Sequence, residues 1–396
     1  MTAQKSMFKI AATLGLMAGV GPLAIDMFLP AMPAITDDLG TTIAATQMTL
    51  TAYFIAFGLA QLIYGPWADQ AGRKRPLYVG LGIFLLGTLG CVVAPTIETL
   101  IAARVIQALG AAVLMVIPRA VIRDLYTGPE ATKLMALIML VISVSPMLAP
   151  LIGSLILLVA EWRVIFLVLA VASGASLLMA RNVLEETLPE DKRVPVNVAS
   201  LWSGVKTLLC DKGFMGLTMV GGFGMASFFV FIASASFVYT GQFGLSPMGF
   251  SLAFAINAVG FFAASQVAAP LGFRIGMERA VMIGVIGFAS AGCLTTLVAL
   301  SGALTLPLMV GLLFVTNAFL GLVIPTTMVM ALDDHGDIAG LASSLGGTLQ
   351  MVTGGLMIVL VAPFFDGTAA PLVSAIAICG LAALFCALVL RKPATA

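Results

Sequence analysis

Few side chains in this 396-residue chain can do chemistry, and their setting narrows what that chemistry is. GPLAIDMFLP, residues 21–30, carries one carboxylate, Asp26, inside an otherwise apolar run, and RVIQALG, residues 104–110, carries one cation, Arg104, inside another. A charge near mid-bilayer costs about 2.5–3.5 kcal/mol on insertion scales, so such residues usually line a pathway for ions or substrate. Loss of water disfavours the charged form of a carboxyl group, whereas a nearby guanidinium favours it. That opposition suits Asp26 to gaining and losing a proton. A static ion pair bracing two helices is the alternative reading.

Other chemistry is poorly supplied. His335 is the single histidine, in ALDDHGDIAG beside Asp333, Asp334 and Asp337, without a recognised metal-ligand spacing. No GxxxxGK[ST] loop is present to cradle ATP phosphates, and no histidine lies in an apolar run to serve as a base. The expectation is therefore no cofactor, no metal and no enzyme, with transport energy drawn from an ion gradient or from the substrate's own. The five cysteines, Cys91, Cys210, Cys293, Cys379 and Cys386, fall mostly in apolar runs and read as small core residues.

The elements that position these groups follow from composition. Hydrophobic residues make up 61% of the chain and charged residues 9%, against about 25% charged in an ordinary soluble domain. Twelve runs reach the roughly 20 apolar residues that a bilayer requires. They define spans 1 to 12 near 9–30, 45–67, 76–94, 99–120, 135–159, 163–181, 213–239, 249–272, 280–301, 305–331, 340–362 and 370–390. Asp26, Pro22 and Pro30 interrupt the first run, and no small-residue cleavage site follows, so it reads as span 1 rather than a signal peptide. Net charge is +1, which points neither to nucleic acid nor to an acidic partner. Every second connection is basic, from Lys5 and Lys9 through Arg73, Lys74 and Arg75, then Arg123 and Lys133, to Arg391 and Lys392 at the end. The alternate connections hold mainly Asp37, Asp38, Glu98, Glu161 and Asp366, with Arg163 as the exception. This asymmetry places both termini in the cytoplasm.

The chain divides once, at the polar segment between spans 6 and 7. Residues 1–182 form the first six-helix half, 183–212 a cytoplasmic linker with a surface helix near 201–209, and 213–396 the second half. Pro66, Gly72 and Arg75 after span 2 are echoed at a constant offset by Pro270, Gly276 and Arg279 after span 8. Transporters are commonly built from such repeats, with substrate sites between them.

The segment YGPWADQAGRKRPL, residues 64–77, resembles the signature loop of the major facilitator superfamily at Gly65, Ala68, Asp69, Gly72, Arg73 and Lys74, and departs from it at Trp67 and Gln70. Asp26, Pro30 and Pro33 resemble the span 1 motif of the twelve-span drug:proton antiporters, and Arg104, Gln107 and Gly110 match in span 4. SVSPMLAPLIGS in span 5 is similar to the antiporter helix-packing motif at Pro150 and Gly153, with Ser145, Ala149 and Ser154 replacing its other glycines. Taken with QMTLTAYF and VIRDLY, the pattern looks most like the bicyclomycin and chloramphenicol/florfenicol exporter branch.

The resemblance implies an all-α integral membrane protein, with twelve transmembrane helices in two pseudo-symmetric six-helix bundles. It further implies a proton-coupled multidrug exporter of small amphipathic molecules in a bacterial inner membrane, with Asp26 and Arg104 coupling the proton and Asp69, Arg73 and Asp124 forming a conformational latch. The alternative is a metabolite uptake symporter or facilitator of the same fold. Counted from span ends at 1.5 Å per residue, Asp26 and Arg104 each lie roughly 6–8 Å below the outer boundary and so face each other. Isolated polar residues near mid-span, Tyr53, Gln107, Asn257, Asn317 and Gln350, with Phe228 and Phe231, are candidates to line a drug cavity; interhelical bonding and lipid contact are the alternatives. The expected partners are the drug, protons and lipid, and nothing requires more than a monomer.

Overall fold

The computed structural model describes residues 2–193, 195 and 197–390, with side chains from Phe8 onward except that of Val198. Arg391 and Lys392, counted in the charge pattern, lie outside the described residues, and Lys5 contributes only its backbone. Among the described residues there are helices and no strand. In a bilayer every backbone group needs an internal partner, and a helix supplies one within its own segment.

Among the described residues, twelve helical segments are long and apolar enough to cross a membrane. Spans 1 to 6 are Phe8–Asp38, Ile43–Ala71, Lys74–Val93, Ile97–Leu125, Gly128–Leu157 and Arg163–Val183. Spans 7 to 12 are Lys212–Gln242, Pro247–Ile275, Met277–Leu300, Leu306–Asp333, Gly336–Phe364 and Ala369–Leu390. A further helix, Val198–Cys210, lies in the segment between spans 6 and 7.

Two expectations need correction. Span 1 does not stop at Pro30: its first helix ends at Asp26, a short turn follows at Leu29–Ala31, and the chain resumes as a helix over Met32–Asp38. Pro30 reads as an interruption in the sequence, yet it and Pro33 sit in first-turn positions, where proline's missing N–H is not needed. Likewise, residues 64–71 are not a loop but the last two turns of span 2, with Pro66 inside the helix. Gly72 alone breaks it, at φ +85°.

The chain forms two compact units, Met1–Thr41 with Ala52–Asn197, and Thr42–Thr51 with Val198–Ala396. The first turns of span 2 thus belong with the second unit, where Gln47 Nε2 donates to Ser234 Oγ at 3.0 Å. The linker helix belongs there too, laying Gly204 against Leu341 at the start of span 11. Inside the first unit span 1 packs on spans 4, 5 and 6, and span 3 on spans 4 and 6. Inside the second, span 7 packs on 10, 11 and 12, and span 9 on 10 and 12. One packing plan therefore serves both units.

Small residues make that plan possible. A side chain added at Gly110 would meet the backbone of Phe84 and Gly80, so spans 3 and 4 touch backbone to backbone. Large apolar side chains such as Leu86, Val93, Leu158, Leu360 and Val389 remain exposed, as a chain solvated by lipid permits.

Candidate functional site

Asp26 ends the first helix of span 1. A helix end leaves its last carbonyls without donors, which is costly away from water. Arg104 supplies one. Its Nη1 donates to the Ala24 carbonyl at 2.8 Å and to Gln107 Oε1 at 2.6 Å. Gln107 Nε2 continues the chain to Thr88 Oγ1 at 2.8 Å, joining spans 1, 4 and 3. Arg104 is fully buried, and its guanidinium carbon lies 4.3 Å from the ring centre of Tyr53, 5.0 Å from that of Phe28 and 5.9 Å from that of Phe166. Three ring faces thus replace part of the hydration that the cation loses.

The expected Asp26–Arg104 contact takes a different form. Asp26 is 4% exposed, and among the described residues no hydrogen bond or ion pair joins it to Arg104. The cation holds a carbonyl two residues upstream instead. Arg104 Nε and Nη2 and the Tyr53 hydroxyl are buried without partners. Asp26 stands twelve residues before Asp38 and Arg104 seven after Ile97, and the two segments meet where Arg104 Nη1 reaches the Ala24 carbonyl. Gly153 completes the support, since a side chain there would strike the Met27 carbonyl and Pro30. Pro150, one turn earlier, is buried in the same helix.

A second cluster closes the other end of the first unit. Arg73 is 3% exposed; its Nη1 donates to Asp69 Oδ1 at 2.6 Å, its Nε to Asp124 Oδ2 at 2.7 Å and its Nη2 to Asp124 Oδ1 at 3.2 Å. Arg73 is buried and Asp124 nearly so in this cluster, whereas the Asp69 side chain is half exposed. Two further members were not anticipated from sequence. Glu186, just beyond span 6, accepts the backbone N–H groups of Arg73 at 2.8 Å, Lys74 at 3.1 Å and Leu188 at 3.1 Å. Thr187 Oγ1 donates to Asp124 Oδ2 at 2.9 Å. Partial desolvation acts to raise the Glu186 pKa, but the three N–H donors and the Arg193 charge outweigh it and hold the group below the ordinary glutamate range. A side chain on Gly72 would come within 2.6 Å of this carboxylate. A side chain added at Gly65 would meet nothing within 4 Å, so of the two glycines only Gly72 is held close to the cluster. Glu186 is one of several acids in a linker of mixed charge, with nothing local to single it out.

Arg163, the basic exception among the acidic connections, is paired: its Nη1 lies 2.8 Å from Asp38 Oδ2, and its guanidinium stacks over Trp162.

The remaining candidates lie in the second unit. Phe231 stacks on Phe254 with centroids 5.5 Å apart, and Phe228 on Phe261 at 5.9 Å. Asn257 and Asn317 each donate to a carbonyl one turn earlier in their own helix, at 2.9 Å. Gln350 lines a small cleft with Phe214, Thr218, Thr327 and Leu332, away from the other four. His335 sits with Nε2 4.0 Å from Asp211 Oδ1, and its ring stands edge-on to Phe214.

A buried acid at a broken helix end and a charge cluster between helix ends are transporter features rather than catalytic ones. Residues 14–358 match the family model described as Major Facilitator Superfamily. This chain belongs to the major facilitator superfamily. It is 35% identical over 360 residues to the uncharacterised transporter YdgK of Bacillus subtilis, covering 90% of this chain and 89% of that one. It is 32% identical to multidrug resistance protein D of Escherichia coli (86% and 85% covered) and 28% identical to a bicyclomycin resistance protein homologue of Haemophilus influenzae (96% and 95%). These relatives place it in the drug-resistance branch, as a multi-pass membrane transporter and not a catalytic enzyme. A D-xylose–proton symporter shares the fold, with TM-score 0.76 at 14% identity over 97% of both chains.

Proposed function

We propose that this protein exports small amphipathic drugs in exchange for protons by alternating access, with Asp26 as the proton carrier. The observation that carries the reading is a 4%-exposed carboxyl group at a broken helix end that no cation neutralises by direct contact. Arg104 is held to the same helix end through the Ala24 carbonyl, and in this reading its approach to Asp26 during the cycle favours the charged form. A proton taken from outside and a drug taken from inside then compete, and each shifts the two access states only by its differential affinity for them.

In this reading 1–182 and 213–396 are the moving halves, joined by the linker 183–212, and both termini face the cytoplasm of a bacterial inner membrane. Asp69, Arg73 and Asp124 latch one access state and part during the cycle. Tyr53, Gln107, Phe228, Phe231, Asn257, Asn317 and Gln350 line the drug path at some stage of it. The monomer is the working unit. The names of the relatives make amphenicol- and bicyclomycin-like molecules the first substrates to try.

Everted membrane vesicles provide the test. Drug uptake in the wild type is expected to collapse when the pH gradient is dissipated. Asp26→Asn is expected to retain part of the drug binding and lose gradient-driven uptake. Unchanged gradient-driven uptake in that variant would overturn the assignment.

A further inference from the structure

Span 4 carries a second arginine within its apolar length. Arg119 stands six residues before the inner helix end at Leu125, about 9 Å along the axis. Its Nε is buried and has no hydrogen-bond partner. Among the described residues no carboxylate pairs with it.

The neighbouring acid cannot serve. Asp124 gives both its oxygens to Arg73 and accepts Thr187 as well. Arg123, one turn below Arg119, is exposed and likewise has no carboxylate partner among the described residues. Cations four residues apart on a helix repel each other. A negative group bound between the two cations would relieve that repulsion. Between residues 110 and 122 of span 4 the only side chains that are not buried are Met115, Val116 and Arg119. Arg119 therefore stands at the head of an accessible apolar strip, and Arg123 lies at its mouth.

We propose that Arg119, assisted by Arg123, forms a binding site for the oxyanion of an amphiphile, a carboxylate, sulfonate or phosphate whose apolar part lies along Met115 and Val116. The planar guanidinium matches an oxyanion two-on-two, and a retained intramembrane charge marks a substrate path. This deepens the exporter reading by adding a cargo class, and it rests on that reading only for what happens after binding. The site is separate from the Asp26–Arg104 network: fifteen residues of helix put Arg119 about 22 Å from Arg104 along the axis.

Binding to the purified full-length protein in a phosphate-free maltoside detergent tests the site without requiring transport. The probes are 8-anilinonaphthalene-1-sulfonate, an anionic amphiphile, and ethidium, a cationic one. Arg119→Gln is expected to weaken the sulfonate about tenfold, as loss of a charge-assisted bond does, and to leave ethidium unchanged. Arg119→Lys, which keeps the charge but not the fork, is expected to fall between, and Arg123→Gln to weaken the sulfonate less. Phosphatidylglycerol that displaces the sulfonate from the wild type but not from Arg119→Gln identifies a lipid headgroup as the source of the oxyanion. Failure to displace identifies soluble cargo. Sulfonate affinity that is unchanged in Arg119→Gln overturns the proposal. So does an equal loss of both probes with a lowered melting temperature in Arg119→Gln and Arg119→Lys alike, which marks a structural role. Failure of proton-driven uptake in vesicles leaves this binding result intact, so the two readings fail separately.

Discussion

The turns after spans 2 and 8 share a backbone and differ in chemistry. Each ends a helix of 29 residues that carries a proline inside its last two turns, Pro66 in one and Pro270 in the other. Each is then broken by a glycine in the left-handed region, Gly72 at φ +85° and Gly276 at φ +92°. At the first turn, Arg73 is clamped by Asp69 and Asp124, while Glu186 grips the backbone from outside. At the second, Phe273 stands where Asp69 would be and is 92% exposed, and Met277 replaces Arg73 and lies against Gly272. The repeat preserves the bend, which depends on one glycine and one proline. It does not preserve the clamp, which needs four side chains from separate segments.

Substitutions matched at the two turns can break or sharpen this contrast. Arg73→Ala leaves Asp124 without its cation in a site 11% exposed and is expected to destabilise the first unit by about 3 kcal/mol, whereas Arg279→Ala, at the exposed counterpart of Arg75 in the second turn, is expected to cost no more than about 0.5 kcal/mol. Melting in detergent measures both; equal losses would mean that the clamp contributes nothing special. Gly72→Ala forces a left-handed alanine against the Glu186 carboxylate and is expected to cost about 2 kcal/mol, with turnover reduced. Gly276→Ala meets open space, so only the backbone term of about 1 kcal/mol remains. A larger loss at Gly276 than at Gly72 would reverse the comparison.

Glu186→Gln weakens three backbone contacts while keeping the shape, for an expected loss of about 1 kcal/mol at neutral pH. Because the pKa of Glu186 is lowered on folding, its contribution is complete above the ordinary glutamate range and is lost as pH falls through the lowered value. The gap between wild type and variant is therefore expected to close only in acid below about pH 4.3. A gap that already closes near pH 6 would exclude this carboxylate as its source. The smallest effect is expected at Phe273→Asp, which places an acid at the exposed matching position with no Arg73 equivalent to receive it. Melting is expected to stay within about 0.5 kcal/mol of wild type. A larger shift would reveal a hidden partner at the second turn.

Much of the fold was legible in the chain because spans are set by composition over about 20 residues, and lipid leaves a segment no choice but to satisfy its own backbone. The structure departs from the sequence reading where proline is taken as punctuation: Pro30 starts a short helical turn inside span 1 rather than ending it, and Pro66 lies within span 2. Asp26, Arg104 and Arg73 stood out in the sequence because a charge in or beside an apolar run is rare. Their partners did not. Ala24 contributes a carbonyl that every residue has, Thr88 is one hydroxyl among many, and Glu186 is one of several acids in a linker of mixed charge.

The sequence by itself determined that this is a twelve-span membrane protein of repeated halves, with a few isolated charges set among apolar helices. Those properties are local: they follow from the cost of placing each residue in hydrocarbon, which is counted along the chain. Only the tertiary structure decided that Arg104 holds a carbonyl instead of the nearby carboxylate, that the strap after span 6 closes the Arg73 cluster, and that Arg119 pairs with no carboxylate among the described residues. These depend on which side chains meet across helices, and that is set by the few ångströms of close approach that glycines such as Gly110 and Gly153 allow.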